Sequence, residues 1–198
     1  IIDKQSQRGN DFFPLAHLNL GEVYGKTGKI ALAIIEWEQA IQQDPSILPA
    51  HFNLGTAFMM QGEFDRAEKY LLKCLEMDSK HEPALFNLAL VKQNQMDWQD
   101  SIRRFNNYMA VTGPRPSALT QIGFNHLNLK NWTKAQSFFE KSLSMAPKDM
   151  NTLILLGDSF LAQGHTRKAE EKYRVALNLN KDSRLEKILK DKIKNIYK

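Results

Sequence analysis

The 198-residue sequence contains a single cysteine, Cys74. That excludes an internal disulfide framework and any metal cage built from cysteine alone. No apolar run approaches the ~20 residues of a membrane-spanning helix, so membrane insertion is not expected. Glycine-rich phosphate loops, a His-Glu-x-x-His pair and a nucleophile elbow are all missing. No catalytic, cofactor-binding or metal-ligating set is therefore expected. Positive charge is scarce over most of the chain. The net charge is +5, but residues 181–198 hold seven Lys or Arg against three Asp or Glu, so the excess sits in the tail. Nucleic-acid readers spread cations along the binding face with aromatics between them, and this distribution argues against nucleic acid as a partner. The sequence opens at Ile1 without the segments of a secretory leader and reads as a fragment or processed form. Either the cytoplasm or a bacterial envelope is compatible with it.

What is present is a repeat. An apolar residue followed by a small one, with a second small residue twelve positions on, recurs along the chain. The instances are Leu20-Gly21 with Ala33, Leu54-Gly55 with Ala67, Leu88-Ala89 with Ser101, Ile122-Gly123 with Ala135, and Leu156-Gly157 with Ala169. The step is 34 residues four times running, without an insertion. Four residues after each second small position stand Trp37, Leu71, Phe105, Phe139 and Tyr173, and three further on Ala40, Cys74, Tyr108, Ser142 and Ala176. Gly28, Gly62 and Gly164 fall where a turn needs positive φ, and Pro45 and Pro147 where a helix must end. The spacing predicts two antiparallel amphipathic helices per unit. Small residues let the pair approach, and the large ones are expected to fill the space between successive units. A lone pair cannot bury its own apolar face, so the units must stack.

These motifs resemble the tetratricopeptide repeat family, in five copies over 14–47, 48–81, 82–115, 116–149 and 150–183. The resemblance implies an all-α, right-handed superhelical solenoid of helix-turn-helix hairpins. Its concave groove would be lined by the first helix of each repeat. Residues 184–198 read as an amphipathic capping helix, with Leu185, Ile188, Leu189, Ile193 and Ile196 on one face and lysines on the other. Residues 1–13 form an N-terminal segment with no periodicity. Phe12 and Phe13 mark where packing begins, or else supply a plug for the groove.

The resemblance also implies which positions face the groove. The fifth carries Leu18, Phe52, Phe86, Thr120 and Ile154, and the sixth carries Asn19, Asn53 and Asn87. Glu22, Thr56, Leu90, Phe124 and Asp158 stand at the ninth, and Gly25, Met59, Gln93, Leu127 and Leu161 at the twelfth. An Asn amide at the sixth position can bond the main chain of an extended ligand. The implied function is a non-enzymatic scaffold that takes a peptide or helix of a partner protein, in assembly of a multiprotein complex. The alternative is a recruiting region of a larger enzyme or secretion machine. Family members that clamp chaperone C-terminal carboxylates do so with Lys and Arg; here only a central Asn matches, so that ligand is not expected. His17 and His51 share one repeat position and read as packing residues, and Cys74 as a small buried hydrophobe. In repeat one, Leu32, Ile34 and Ile35 exceed what an internal stripe requires. Contact with the N-terminal segment, a preceding repeat or a second copy is expected there.

Overall fold

A computed structural model describes residues 13–196. Among these residues there are eleven helices and no strand. They are α1 (Pro14–Lys26), α2 (Ile30–Gln43), α3 (Leu48–Gln61), α4 (Phe64–Met77), α5 (Glu82–Asn94), α6 (Trp98–Thr112), α7 (Pro116–Asn128), α8 (Trp132–Met145), α9 (Met150–Ala162), α10 (Thr166–Leu179) and α11 (Ser183–Asn195). The chain divides into two compact units, one through Val91 and one from Lys92, and the division falls inside α5.

In the first unit α1 packs on α2, α2 on α3, and α3 on α4; in the second, α6, α7, α8, α9, α10 and α11 pack each on the next. In four of the five repeats the closeness of the pair depends on its glycine. A Cβ on Gly21 would lie 2.5 Å from Trp37 Nε1, and one on Gly157 2.5 Å from Tyr173 Cε1. At Gly55 and Gly123 the obstacles are Leu71, at 2.8 Å, and Phe139, at 2.6 Å. Each of these large side chains thus rests on the glycine of its own hairpin. Leu71 also shares a buried cluster with Leu88 of the next repeat, and Phe139 with Leu156.

The turn between paired helices uses positive φ at the same step. Gly28, Gly62 and Gly164 have φ of 76°, 79° and 74°. Met96 and Lys130, at the equivalent places in the third and fourth repeats, have φ of 61° and 57° despite carrying side chains. The hairpin geometry imposes the left-handed conformation there regardless of residue type.

The third, seventh and tenth positions of the first helices are covered in every repeat but one. Ala50, Leu54 and Ala57 of α3 are buried, as are Ala84, Leu88 and Val91 of α5. The same positions are buried as Ala118, Ile122 and Asn125 in α7 and as Thr152, Leu156 and Ser159 in α9. Their counterparts in α1, Ala16, Leu20 and Val23, are exposed. At the C-terminal end of the described residues α11 packs on α10. Leu189 and Ile196 are buried in the cluster that holds Leu156, Phe160 and Tyr173, with Leu185 and Ile193 packed against it. Ile188, expected on that stripe, is 46% exposed because it lies off the 185-189-193-196 line.

Candidate functional site

Hydrogen bonds between successive first helices identify positions that share a surface. Asn87 Nδ2 donates to Thr56 Oγ1 at 3.1 Å, joining a sixth position to the ninth position of the preceding repeat. In the second unit Gln93 Nε2 donates to Gln121 Oε1 at 3.0 Å, a twelfth position to a sixth. Lys192 Nζ donates to Asp158 Oδ1 at 2.5 Å, between two ninth positions. Sixth, ninth and twelfth positions therefore lie along one side of the first helices within each unit.

On that side of the first unit, Phe52, Asn53, Thr56, Met59, Phe86, Asn87 and Leu90 are half-buried and Asn19 is exposed. Phe52 and Met59 pack against the core with part of their surface. The Phe52 ring also meets His81 edge-on, with centroids 5.2 Å apart. Leu18 is a correction: it is buried in the cluster with Ala33 and Trp37, so it serves the hairpin core and presents almost nothing to a ligand. Thr120, at the same position of its repeat, is buried as well. Its hydroxyl bonds Ser142 Oγ at 2.8 Å and Thr152 Oγ1 at 2.6 Å, and Thr152 in turn bonds Asp149. In the second unit Phe124 and Leu127 are half-buried. Phe124 meets Trp98 edge-on at 6.1 Å, and Leu127 packs against the cluster of Ala135 and Phe139.

Charge near these residues is small and locally paired. Lys26 lies 3.9 Å from Glu22 on the same helix. Lys192, expected on a solvated lysine face, instead joins Asp158, whose carboxylate also accepts from Tyr173 Oη at 2.5 Å. Burial first, and then the neighbouring carboxylate, push the Tyr173 phenol up. Sequence reading missed Gln121, His81, Trp98 and Lys192, because no periodic signal marks a residue whose partner is on another helix.

His17 Nδ1 lies 2.7 Å from Glu36 Oε2, and His51 Nε2 donates to the Pro45 carbonyl at 2.9 Å. Both histidines are engaged within the fold. Among the described residues no cluster of three or more His, Cys, Asp or Glu is placed to hold a metal, and no helix is long and apolar enough to cross a membrane. Cys74 is fully buried, and desolvation pushes its thiol up to about 12.

Family models of the tetratricopeptide repeat match residues 15–47, 49–81 and 115–182. The chain belongs to the tetratricopeptide repeat family, and its fold is the all-α class of stacked helical hairpins. No curated protein matches it significantly. Among solved structures, MamA from Desulfovibrio magneticus RS-1 is 15% identical with a TM-score of 0.79, covering 86% of this chain and 96% of that one. Pseudomonas aeruginosa pilF is 22% identical, TM-score 0.73, over 93% of this chain and 88% of that one. YrrB, described as a TPR protein with an unusual peptide-binding site, is 16% identical, TM-score 0.73, over 92% and 94%. At these identities the likeness is one of fold. Repeats of this family are protein-protein interaction scaffolds, and that is the class to which the chain belongs.

Proposed function

We propose that the chain binds a peptide or helix of a partner protein along the concave side of its first helices, in assembly of a multiprotein complex. The observation that carries this is the surface of the first unit, where half-exposed Phe52, Phe86 and Leu90 stand among the amides of Asn53 and Asn87. Apolar side chains with amides between them suit a ligand that inserts apolar groups and bonds through its main chain. Asn19, Thr56 and Met59 extend this surface, and Gln93, Phe124 and Leu127 repeat the chemistry in the second unit. The peptide-binding site stated for YrrB, on the same fold, supports the reading.

The repeats over 14–183, with 1–13 before them and the cap over 184–198 behind, form the scaffold in this reading. Stacked hairpins hold Asn and aromatic positions in place before the ligand arrives, so most of the ordering entropy falls on the ligand. The Asn87 bond to Thr56 fixes its amide and leaves its Oδ1 and second N–H for ligand main chain. A free carboxylate finds no guanidinium fork there, so the favoured ligand is an internal segment rather than a chain terminus.

The test is a quantitative pull-down from native lysate with the wild-type chain and a Phe86→Asp, Leu90→Asp double variant shown by circular dichroism to be folded. Proteins recovered by the wild type and lost from the variant support groove binding. Equal recovery by both baits contradicts it.

A further inference from the structure

The N-terminal face of repeat one is built like the interior of the stack. Leu20 and Val23 of α1 are 41% and 55% exposed, and Leu32 and Ile35 of α2 are 43% and 52% exposed. The α1 pair, with Ala16, occupies the positions that are buried in each later repeat, where α3, α7 and α9 pack on the helix before them. The α2 pair points the same way. In the second repeat the residue equivalent to Leu32 is Arg66, which reaches back to Glu38 of α2 at 3.1 Å. The equivalent of Ile35 is Lys69, which lines a cleft with Ile41 and Pro45. In the fourth repeat these two positions are Lys134 and Ser137. Only repeat one is apolar at both, and only repeat one has no preceding hairpin among the described residues.

We infer that this face is the contact between two copies of the chain, packed N-terminal face to N-terminal face about a two-fold axis. Three observations choose a second copy. First, residues 1–12 do not carry the pattern of a covering helix: one repeat step before Trp37, Ala40 and Ile41 stand Asp3, Ser6 and Gln7. Second, the opposite end of the array is closed by α11, whose outer side exposes Lys187, Lys190, Asp191 and Lys194 beside Ile188. A head-to-tail contact would set apolar residues against these charges, so growth into a filament is disfavoured. Third, a two-fold contact places each central residue near its own copy, and a charged position would face its own sign. Arg66 and Lys69 would forbid such a contact; Leu32 and Ile35 permit it. The inference is independent of the groove reading, since it involves other faces of the helices.

The test is sedimentation equilibrium of the full chain from low to high micromolar concentration. It compares the wild type with Leu20→Glu, Ile35→Glu and with a control, Leu72→Glu, at an exposed leucine of α4. Both substituted positions are partly exposed, so the double variant keeps its helicity. The wild type and the control are expected to sediment as dimers. The double variant is expected to be monomeric, with a dissociation constant raised on the order of 100-fold, because a two-fold contact counts each buried carboxylate twice. A wild type that stays monomeric throughout overturns the inference, as does a double variant that still dimerises. A monomeric wild type that dimerises once residues 1–12 are deleted also overturns it and makes that segment the occupant of the face. Pull-down of groove ligands by the double variant keeps failure here distinct from failure of the groove.

Discussion

Lys192 and Asp158 stand one repeat apart at equivalent positions, and their side chains meet at 2.5 Å. The bond ties α11 to α9. Asp158 also accepts from Tyr173, whose ring rests on Gly157, and Lys192 Nζ lies 5.4 Å from the centre of that ring. One carboxylate thereby joins α9, α10 and α11. Removing the cation, in Lys192→Met, is expected to cost about 1 kcal/mol, as for a partly exposed charge-assisted pair. A double-mutant cycle with Asp158→Asn in urea denaturation measures the coupling. Additive effects would mean that the contact contributes nothing.

The close approach at Gly123 predicts an asymmetric result. Gly123→Ala puts a methyl 2.6 Å from Phe139 and is expected to destabilise by about 1–3 kcal/mol, an overpacking cost. Phe139→Leu in the same chain should recover part of that loss by giving the methyl room. Thermal unfolding of the two single variants and the double variant decides it.

Met96 and Lys130 hold φ of 61° and 57° in the turns where other repeats have glycine. Met96→Gly and Lys130→Gly are each expected to stabilise by about 0.5–1 kcal/mol, since relief of the left-handed strain exceeds the added entropy of the unfolded chain. Gly164→Ala should do the reverse by a similar amount, with open space around its Cβ leaving only the backbone term. Chemical denaturation midpoints at fixed slope provide the measurement.

Cys74 predicts an alkaline dependence. Its thiol ionises near the ordinary cysteine value in the unfolded chain and is pushed up to about 12 by burial in the folded one. A raised value for an acid means that its contribution is complete below the unfolded value and is lost as pH rises toward the folded value. Stability should therefore fall between about pH 9 and 12, and less steeply in Cys74→Ala. At neutral pH the native thiol is expected to resist iodoacetamide and to react once the chain is unfolded. Rapid native labelling would contradict this.

The hairpins were legible because the 34-residue step repeats a packing requirement, a small residue paired with a large side chain of the second helix, that leaves its mark on residue size. The turns were legible at Gly28, Gly62 and Gly164 and hidden at Met96 and Lys130, where the hairpin overrides residue preference. Leu18 and Thr120 show the limit at the fifth position: the same place in the repeat is buried in α1 and α7 and half-buried at Phe52 and Phe86, a difference the repeat pattern does not carry. The pairs Asn87 with Thr56 and Gln93 with Gln121 were illegible because they join helices whose register only the fold supplies.

The groove itself is tested most directly by affinity. A peptide selected from a random display library on the wild-type chain should bind it with a measurable heat by titration calorimetry. Binding should weaken at least about tenfold in a folded Phe52→Asp, Leu90→Asp variant, because the desolvated apolar anchors are lost. An unchanged dissociation constant in that variant would contradict the central claim.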